Sequence, residues 1–338
     1  MRNSGVAVGR REVLRWGCSG AVAIAGPVCI AGATDGDERG DRDGNPTESV
    51  GFGDVSVLRT SDAYYAYGTT PDGAVSVVRS DELVDWTTVG SALAARPDWR
   101  DESGAGVRAP SVARYDGTYH LYYAYSTGGS RAESGIALAT ASDPAGPFTD
   151  RGPVFRAAEL GVTGAVGGEL AVVDDTPYMV WGSRDGIYGV ELTPDGTDPV
   201  PGTTVRIASE RAGRPTILEA NGYYYLWCST GPHDGADGAS GVAIGRSKSV
   251  LGPYENRRGA DRREPDADRA DAAVLRDTDA FGGPGHGATI RDDDGDWWLL
   301  YDAVAAGEPA ERVLAIDPIR WDDEGWPVVG DDGTPSTE

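Results

Sequence analysis

Five positions in this 338-residue chain fall in one register, and four of them carry side chains able to do chemistry. Each is a pair of residues ten and eleven places before an aromatic residue. The pairs are Gly53-Asp54, Arg108-Ala109, Gly167-Gly168, Gly213-Arg214 and His286-Gly287, and the aromatics are Tyr64, Tyr119, Tyr178, Tyr224 and Trp297. Asp54 supplies a carboxylate that either takes a proton as a general base or simply forms a turn. Arg108 and Arg214 supply planar guanidinium groups suited to bidentate pairing with anions, or to a local Asp or Glu. His286 supplies an imidazole that titrates near neutral pH. Two further carboxylates lie close to the register, Glu169 beside Gly168 and Glu210 three residues before Gly213.

The elements that hold these positions read as hairpins. Each aromatic ends a twelve-residue segment of strand, polar turn and second strand: GDVSVLRTSDAY, RAPSVARYDGTY, GGELAVVDDTPY, GRPTILEANGYY and HGATIRDDDGDW. The aromatic strand Tyr64 to Tyr67 suits a half-buried pleated surface. Third and fourth strands follow: AVSVVRS and DWTTVG, GIALATAS and PFTDRG, GVAIGRS and GPYEN, and two strand pieces within RVLAIDPIRWDDEGWPVVG. No stretch carries an amphipathic helical period. Four-stranded units repeated at this spacing predict an all-β fold, a five-bladed β-propeller, in which closure of the ring removes long exposed edges. A β-sandwich of unrelated hairpins is the competing architecture. Residues 255–272, ENRRGADRREPDADRADA, are nearly all charged or small and are expected to be a solvated loop leading to an edge strand near Ala273–Arg276.

Composition narrows the function. The formal net charge is −24, and Lys248 is the only lysine among 30 basic residues. An acidic surface built this way suits a high-salt medium, where self-repulsion is screened. It argues against nucleic acid as a partner, because a phosphate backbone needs a basic stripe. Arg10-Arg11 followed by the apolar run Gly17 to Ala33, with a small-residue cleavage site at Ala31-Gly32-Ala33, predicts a twin-arginine signal over residues 1–33 and export from the cell. The mature protein then has no membrane span and one cysteine, Cys228, so no internal disulfide. Residues 34–48 read as an acidic disordered linker, and residues 49–338 as the propeller.

Six motifs carry a family resemblance: GDVSV at 53–57, RAPSV at 108–112, ASDPAGPF at 141–148, NGYYYLWCS at 221–229, GPGHGATIRDDDGDWWLLYDA at 283–303 and AIDPIRWDDEGWPVV at 315–329. Together they resemble glycoside hydrolase family 43, and within it the arabinanase-like branch. The resemblance covers about residues 50–330. It implies a five-bladed propeller with an axial funnel, a polysaccharide or oligosaccharide substrate of the arabinan or xylan kind, and hydrolysis with inversion. No cofactor is required; in several members a Ca²⁺ lies on the axis near the histidine that His286 matches. Inversion needs a base that activates water and a protonated carboxyl that serves the leaving oxygen.

The resemblance makes Asp54 the general base. The tuning carboxylate and the acid of the family fall at Gly168 and Gly213 in this chain. The acid role therefore passes to Glu169 or Glu210. Glu169 reaches the axis only if the strand start is bulged, since a slip of one residue reverses the face; otherwise both are solvated surface acids. Arg108, Arg214 and His286 are the expected substrate-binding residues, and two arginines there suit an anionic sugar. A propeller that binds saccharide without an acid to cleave it is the alternative.

Overall fold

The structure is a computed structural model and describes residues 45, 51, 53–97, 106–127, 130–209, 214–230, 241–264, 273–306 and 311–336. The twin-arginine segment lies outside these. No helix among the described residues is long and apolar enough to cross a membrane.

Turn chemistry sets the hairpins. Asp116-Gly117, Asp174-Asp175 and Asn221-Gly222 all have positive φ at both residues, the two-residue turn whose twist matches antiparallel strands. The strands they join form five four-stranded antiparallel sheets, each drawn from one continuous stretch of chain. Blade one holds β1 (Gly53–Arg59), β2 (Tyr64–Thr69), β3 (Val75–Ser80) and β4 (Thr87–Ser91). Blade two holds β5 (Arg108–Tyr115), β6 (Thr118–Thr127), β7 (Ser130–Ala141) and β8 (Thr149–Arg156). Blade three holds β9 (Val166–Val173), β10 (Thr176–Ser183), β11 (Gly186–Glu191) and β12 (Val205–Ala208). Blade four holds β13 (Thr216–Ala220), β14 (Tyr223–Thr230), β15 (Gly241–Ser247) and β16 (Ala273–Arg276). Blade five holds β17 (Phe281–Arg291), β18 (Trp297–Ala305), β19 (Glu311–Trp321) and β20 (Pro327–Val329). First strands of neighbouring blades meet around the ring, and β1 meets β17 to close it. The architecture is the all-β, five-bladed propeller expected.

The core is divided by the ring. Each of the five apolar clusters lies between two adjacent blades. The second strand of a blade is therefore covered on both faces, not half-buried as its aromatic residues suggest. In β2, Tyr67 packs toward blade two while Ala66 packs toward blade five, and both are fully buried.

Blade four departs from the sequence expectation. Its outer strand is β16, and GPYEN is not a strand. Pro253 offers no N–H to a ladder, and only Glu255 bridges back to Arg246. Tyr254 instead buries its ring between blades three and four and donates its hydroxyl to Val250 O at 2.8 Å. The following segment is not wholly solvated either. Asn256 and Arg262 are buried, and Arg262 Nη2 donates to Cys228 Sγ at 3.4 Å. Residues 265–272 of the expected loop lie outside the described residues.

Among the described residues no strand is exchanged between blades one and five, and side chains reinforce the closure. Arg59 of blade one donates to Asp292 O at 2.9 Å and pairs with Asp293 of blade five. Asn45, which the sequence places in the linker, is fixed to blade five. Its Oδ1 accepts Ile316 N–H at 2.8 Å, and its Nδ2 donates to Ser336 O and Oγ at 3.2 Å each. Ser336 Oγ in turn donates to buried Asp317 at 2.6 Å, which also accepts the Tyr301 hydroxyl at 2.7 Å. Asn45→Ala removes three hydrogen bonds and orphans the Ile316 N–H. Its expected cost is about 1–2 kcal/mol of unfolding free energy, read by chemical denaturation. Unchanged stability contradicts this clasp.

Candidate active site

Four of the five register positions share a backbone device. In β1, Gly53 pairs with Thr69 and Ser56 with Tyr67, so three steps on one strand oppose two on the other. The same extra residue appears in β5 between Arg108 and Ser111, in β9 between Val166 and Glu169, and in β17 between Gly285 and Ala288. These bulges turn the inner strands at their starts. Three of them hold a residue in the left-handed region: Asp54 (φ 59°), Ala109 (φ 51°) and Gly167 (φ 62°). Asp tolerates that region better than most residues, and such strain collects at functional sites. The pairing makes Gly167, rather than Gly168, the equivalent of Asp54. A Cβ on Gly168 would meet Met179 Sδ at 2.9 Å and Ile136 at 3.0 Å, so that position faces the core between blades two and three.

Asp54 is half-buried. Its Oδ2 accepts the Thr69 hydroxyl at 2.9 Å, and Thr69 Oγ1 itself accepts Ala109 N–H at 2.9 Å. The bulge of blade two is thus wired to the carboxylate of blade one through one hydroxyl.

Glu169 gains its position from the bulge of β9. One strand residue past Gly168, it turns toward blade four and its Oε1 accepts Ile217 N–H at 2.9 Å. The matching position in blade one does the same with a smaller side chain, Ser56 Oγ accepting Val112 N–H of blade two at 3.0 Å. Glu169 is therefore an inter-blade staple as well as an acid. Burial pushes its carboxyl up from 4.5 to about 7, opposed by the hydrogen bonds from Ile217 and Thr216 and by the charge of Arg214.

Arg214 precedes β13 and is 7% exposed. Its Nη1 donates to Val55 O at 3.1 Å and its Nη2 to Pro110 O, so from blade four it reaches blades one and two across the axis. Asp54, Glu169 and Asp302 all bear on its charge. Arg214, expected from the sequence to contact substrate, gives a hydrogen bond from each Nη to a backbone carbonyl. Arg108 opens β5 and is exposed, so it is accessible at the rim. His286 lies in β17 by its backbone, and its side chain is outside the described residues. Glu210 and Gly213 are outside them too.

Two site residues were missed from sequence. Asp302, near the end of β18, is fully buried and pairs with Arg312 of β19. Burial raises its carboxyl to about 7 against the pull of Arg312, and Asp54 raises it further. A Cβ on Gly53 would stand 3.0 Å from both Asp302 Oδ2 and Arg312 Cδ, which places this pair against the residue before Asp54. The signal was an Asp inside the otherwise apolar run WWLLYDAVA, where a charge is costly unless paired.

Among the described residues no group of three or more His, Cys, Asp or Glu is arranged to hold a metal. The carbonyls of Val55 and Pro110 are oxygen ligands of the kind Ca²⁺ takes, but both accept from Arg214. The surroundings of Arg214 therefore do not fit a divalent cation.

A raised Glu169 has a stability consequence with a definite sign. The folded protein binds this proton more tightly than the unfolded chain does. The favourable contribution is full below the usual value of 4.5 and is lost as pH rises through about 7. Glu169→Gln keeps the acceptor for Ile217 N–H and removes the titration. Its melting temperature relative to wild type is expected to rise between about pH 5 and about pH 8. A difference that stays flat over that range marks a solvated carboxylate.

Comparison with known proteins agrees with this geometry. The sequence model of glycosyl hydrolases family 43 matches residues 44–327. The chain is 30% identical over 289 residues to the extracellular endo-α-(1→5)-L-arabinanase 1 of Bacillus subtilis, covering 81% of this chain and 86% of that one. It is 25% identical over 311 residues to the extracellular exo-α-(1→5)-L-arabinofuranosidase ArbA of Cellvibrio japonicus, covering 83% and 87%. It superposes on the α-L-arabinanase of Cellvibrio cellulosa complexed with arabinohexaose with a TM-score of 0.73 and 25% identity, covering 83% of this chain and 96% of that one. A match over most of its length, on the fold just described, makes this chain a member of glycosyl hydrolases family 43.

Proposed function

We propose that the protein is an exported arabinan hydrolase that works with inversion, with Asp54 as general base and Glu169 as general acid. The observation that carries this is the contrast between two carboxyls that both bear on Arg214. Asp54 sits in the bulge of β1, half-buried, with its Oδ2 accepting the Thr69 hydroxyl. Glu169 is pushed by burial to about 7 and so carries a proton for part of the time at neutral pH. Pairs of carboxyls whose surroundings drive their protonation apart are how acid and base are divided on one fold.

The steps follow from that division. Asp54 takes a proton from a water as its oxygen attacks the anomeric carbon. Glu169, anchored through Oε1 at Ile217, delivers the proton on Oε2 to the departing glycosidic oxygen. Thr69 holds Asp54 in place through both events. Arg108 contacts the sugar at the rim. The substrate is a neutral arabinan rather than an anionic sugar, because both Nη atoms of Arg214 donate inward to backbone carbonyls and relatives at 30% and 25% identity are named an endo-α-(1→5)-L-arabinanase and an exo-α-(1→5)-L-arabinofuranosidase. Those relatives are also named extracellular, in keeping with a twin-arginine signal at residues 1–33.

Two variants test the roles, assayed in high salt on linear α-1,5-arabinan. Asp54→Asn is expected to abolish turnover while binding of arabino-oligosaccharide persists. Glu169→Gln is expected to lose about 10²–10⁴ in kcat on arabinan, yet far less on an aryl arabinofuranoside with a good leaving group, which needs no proton. Equal losses on both substrates remove Glu169 from the acid role. Wild-type protein that binds arabinan and never cleaves it marks a saccharide-binding propeller.

A further inference from the structure

Where blades one, two and three put Asp54, Ala109 and Gly167, blade four puts Arg214. Its side chain fills the space over Gly167: a Cβ there would come within 2.4 Å of Arg214 Cγ. Gly167 and Arg214 therefore occur as a pair, and no side chain fits at 167 while the arginine is present. The guanidinium lands on the same atom of two bulges, the carbonyl one residue past Asp54 and the carbonyl one residue past Ala109.

We propose that Arg214 is the positioning residue of this site, an internal cation that ties the bulges of blades one and two to blade four and, with Arg312, fixes the number of protons held by Asp54, Glu169 and Asp302. Backbone carbonyls satisfy the donors of a buried guanidinium without neutralising it; carboxylates must do that. Among the described residues, the charged groups that bear on Arg214 are Asp54 from β1, Glu169 from β9 and Asp302 from β18, and Arg312 from β19 pairs with Asp302, while Arg108 is exposed to solvent. Two cations face three carboxyls. One proton on the three balances the cluster, and that proton is the one an inverting hydrolase needs on its acid. Burial raises the carboxyls of both Glu169 and Asp302 to about 7 and the charge of Arg214 lowers both, so each holds a proton for part of the time near neutral pH. Its catalytic consequence rests on the hydrolase reading above; its electrostatic consequence does not.

Arg214→Met keeps length and removes charge, and Arg214→Lys keeps charge and removes the two-pronged fork. Protein labelled with ¹³C at Asp and Glu carboxyls is titrated by NMR. In the Met variant the Glu169 and Asp302 resonances are expected to titrate higher than in wild type by about one pH unit or more, and in the Lys variant close to wild type. On arabinan the Met variant is expected to lose about 10- to 100-fold in kcat with little change in KM, and its pH–rate limbs move to higher pH. The Lys variant loses kcat with the limbs in place, because one ammonium does not span two carbonyls. A folded Met variant that titrates as wild type overturns the proposal, and so does a Lys variant that moves as far as Met. If the Met variant does not fold, the Lys variant decides: titration as in wild type supports the proposal, and a full shift contradicts it. Should wild type hydrolyse nothing while the titrations behave as expected, the hydrolase reading falls and the charge balance stands.

Discussion

A guanidinium that spans the axis of a closed ring is the constraint on which the rest of the site depends. Arg214 leaves blade four and ends on carbonyls of blades one and two. Around a five-membered ring those blades are not neighbours of the fourth, so the contact can form only at the centre. Each consequence is local. Gly167 has no side chain because Arg214 lies over it, and Val55 and Pro110 are held because their carbonyls accept from it. Three carboxyls from three blades gather on its charge. Burying an ion in this way is costly in isolation; here the surrounding carboxyls offset the cost.

The bulges give the arrangement its precision. An inner strand without one would present Glu169 on the face opposite to the one it uses. With the extra residue, Gly167 faces Arg214, Gly168 faces the core, and Glu169 crosses to Ile217. In blade one the same device puts Asp54 in a left-handed conformation within reach of Thr69, while Ser56 crosses to Val112. The carboxyls gathered at the axis, Asp54 and Glu169, and the staples that hold neighbouring blades together are thus products of one repeated backbone irregularity. Stability between blades and geometry at the axis are set by the same residues.

Much of this was legible in the sequence, for physical reasons that differ from feature to feature. The blades were visible because a two-residue turn such as Asp116-Gly117 or Asn221-Gly222 needs particular residues and an aromatic strand follows it. Asp54 was visible because it heads the first unit. The outer strand of blade four was not, since GPYEN has strand-like composition while Pro253 and the burial of Tyr254 take it elsewhere. Arg262, charged and set among other charges, gave no hint that it would be buried beside Cys228. Glu169 was visible as a residue but ambiguous as a role, because its direction depends on a bulge that hydrophobic alternation does not encode. Asp302 and Arg312 escaped notice because they sit on the second and third strands of their blade, beyond a register defined on first strands.

The central claim is that Asp54 and a protonated partner carry out a single displacement at the anomeric carbon. Proton NMR of the sugar first released from linear α-1,5-arabinan, recorded in high salt before mutarotation, tests it directly. The account predicts that the β-anomer appears first. The α-anomer appearing first, or no released sugar at all, would contradict it.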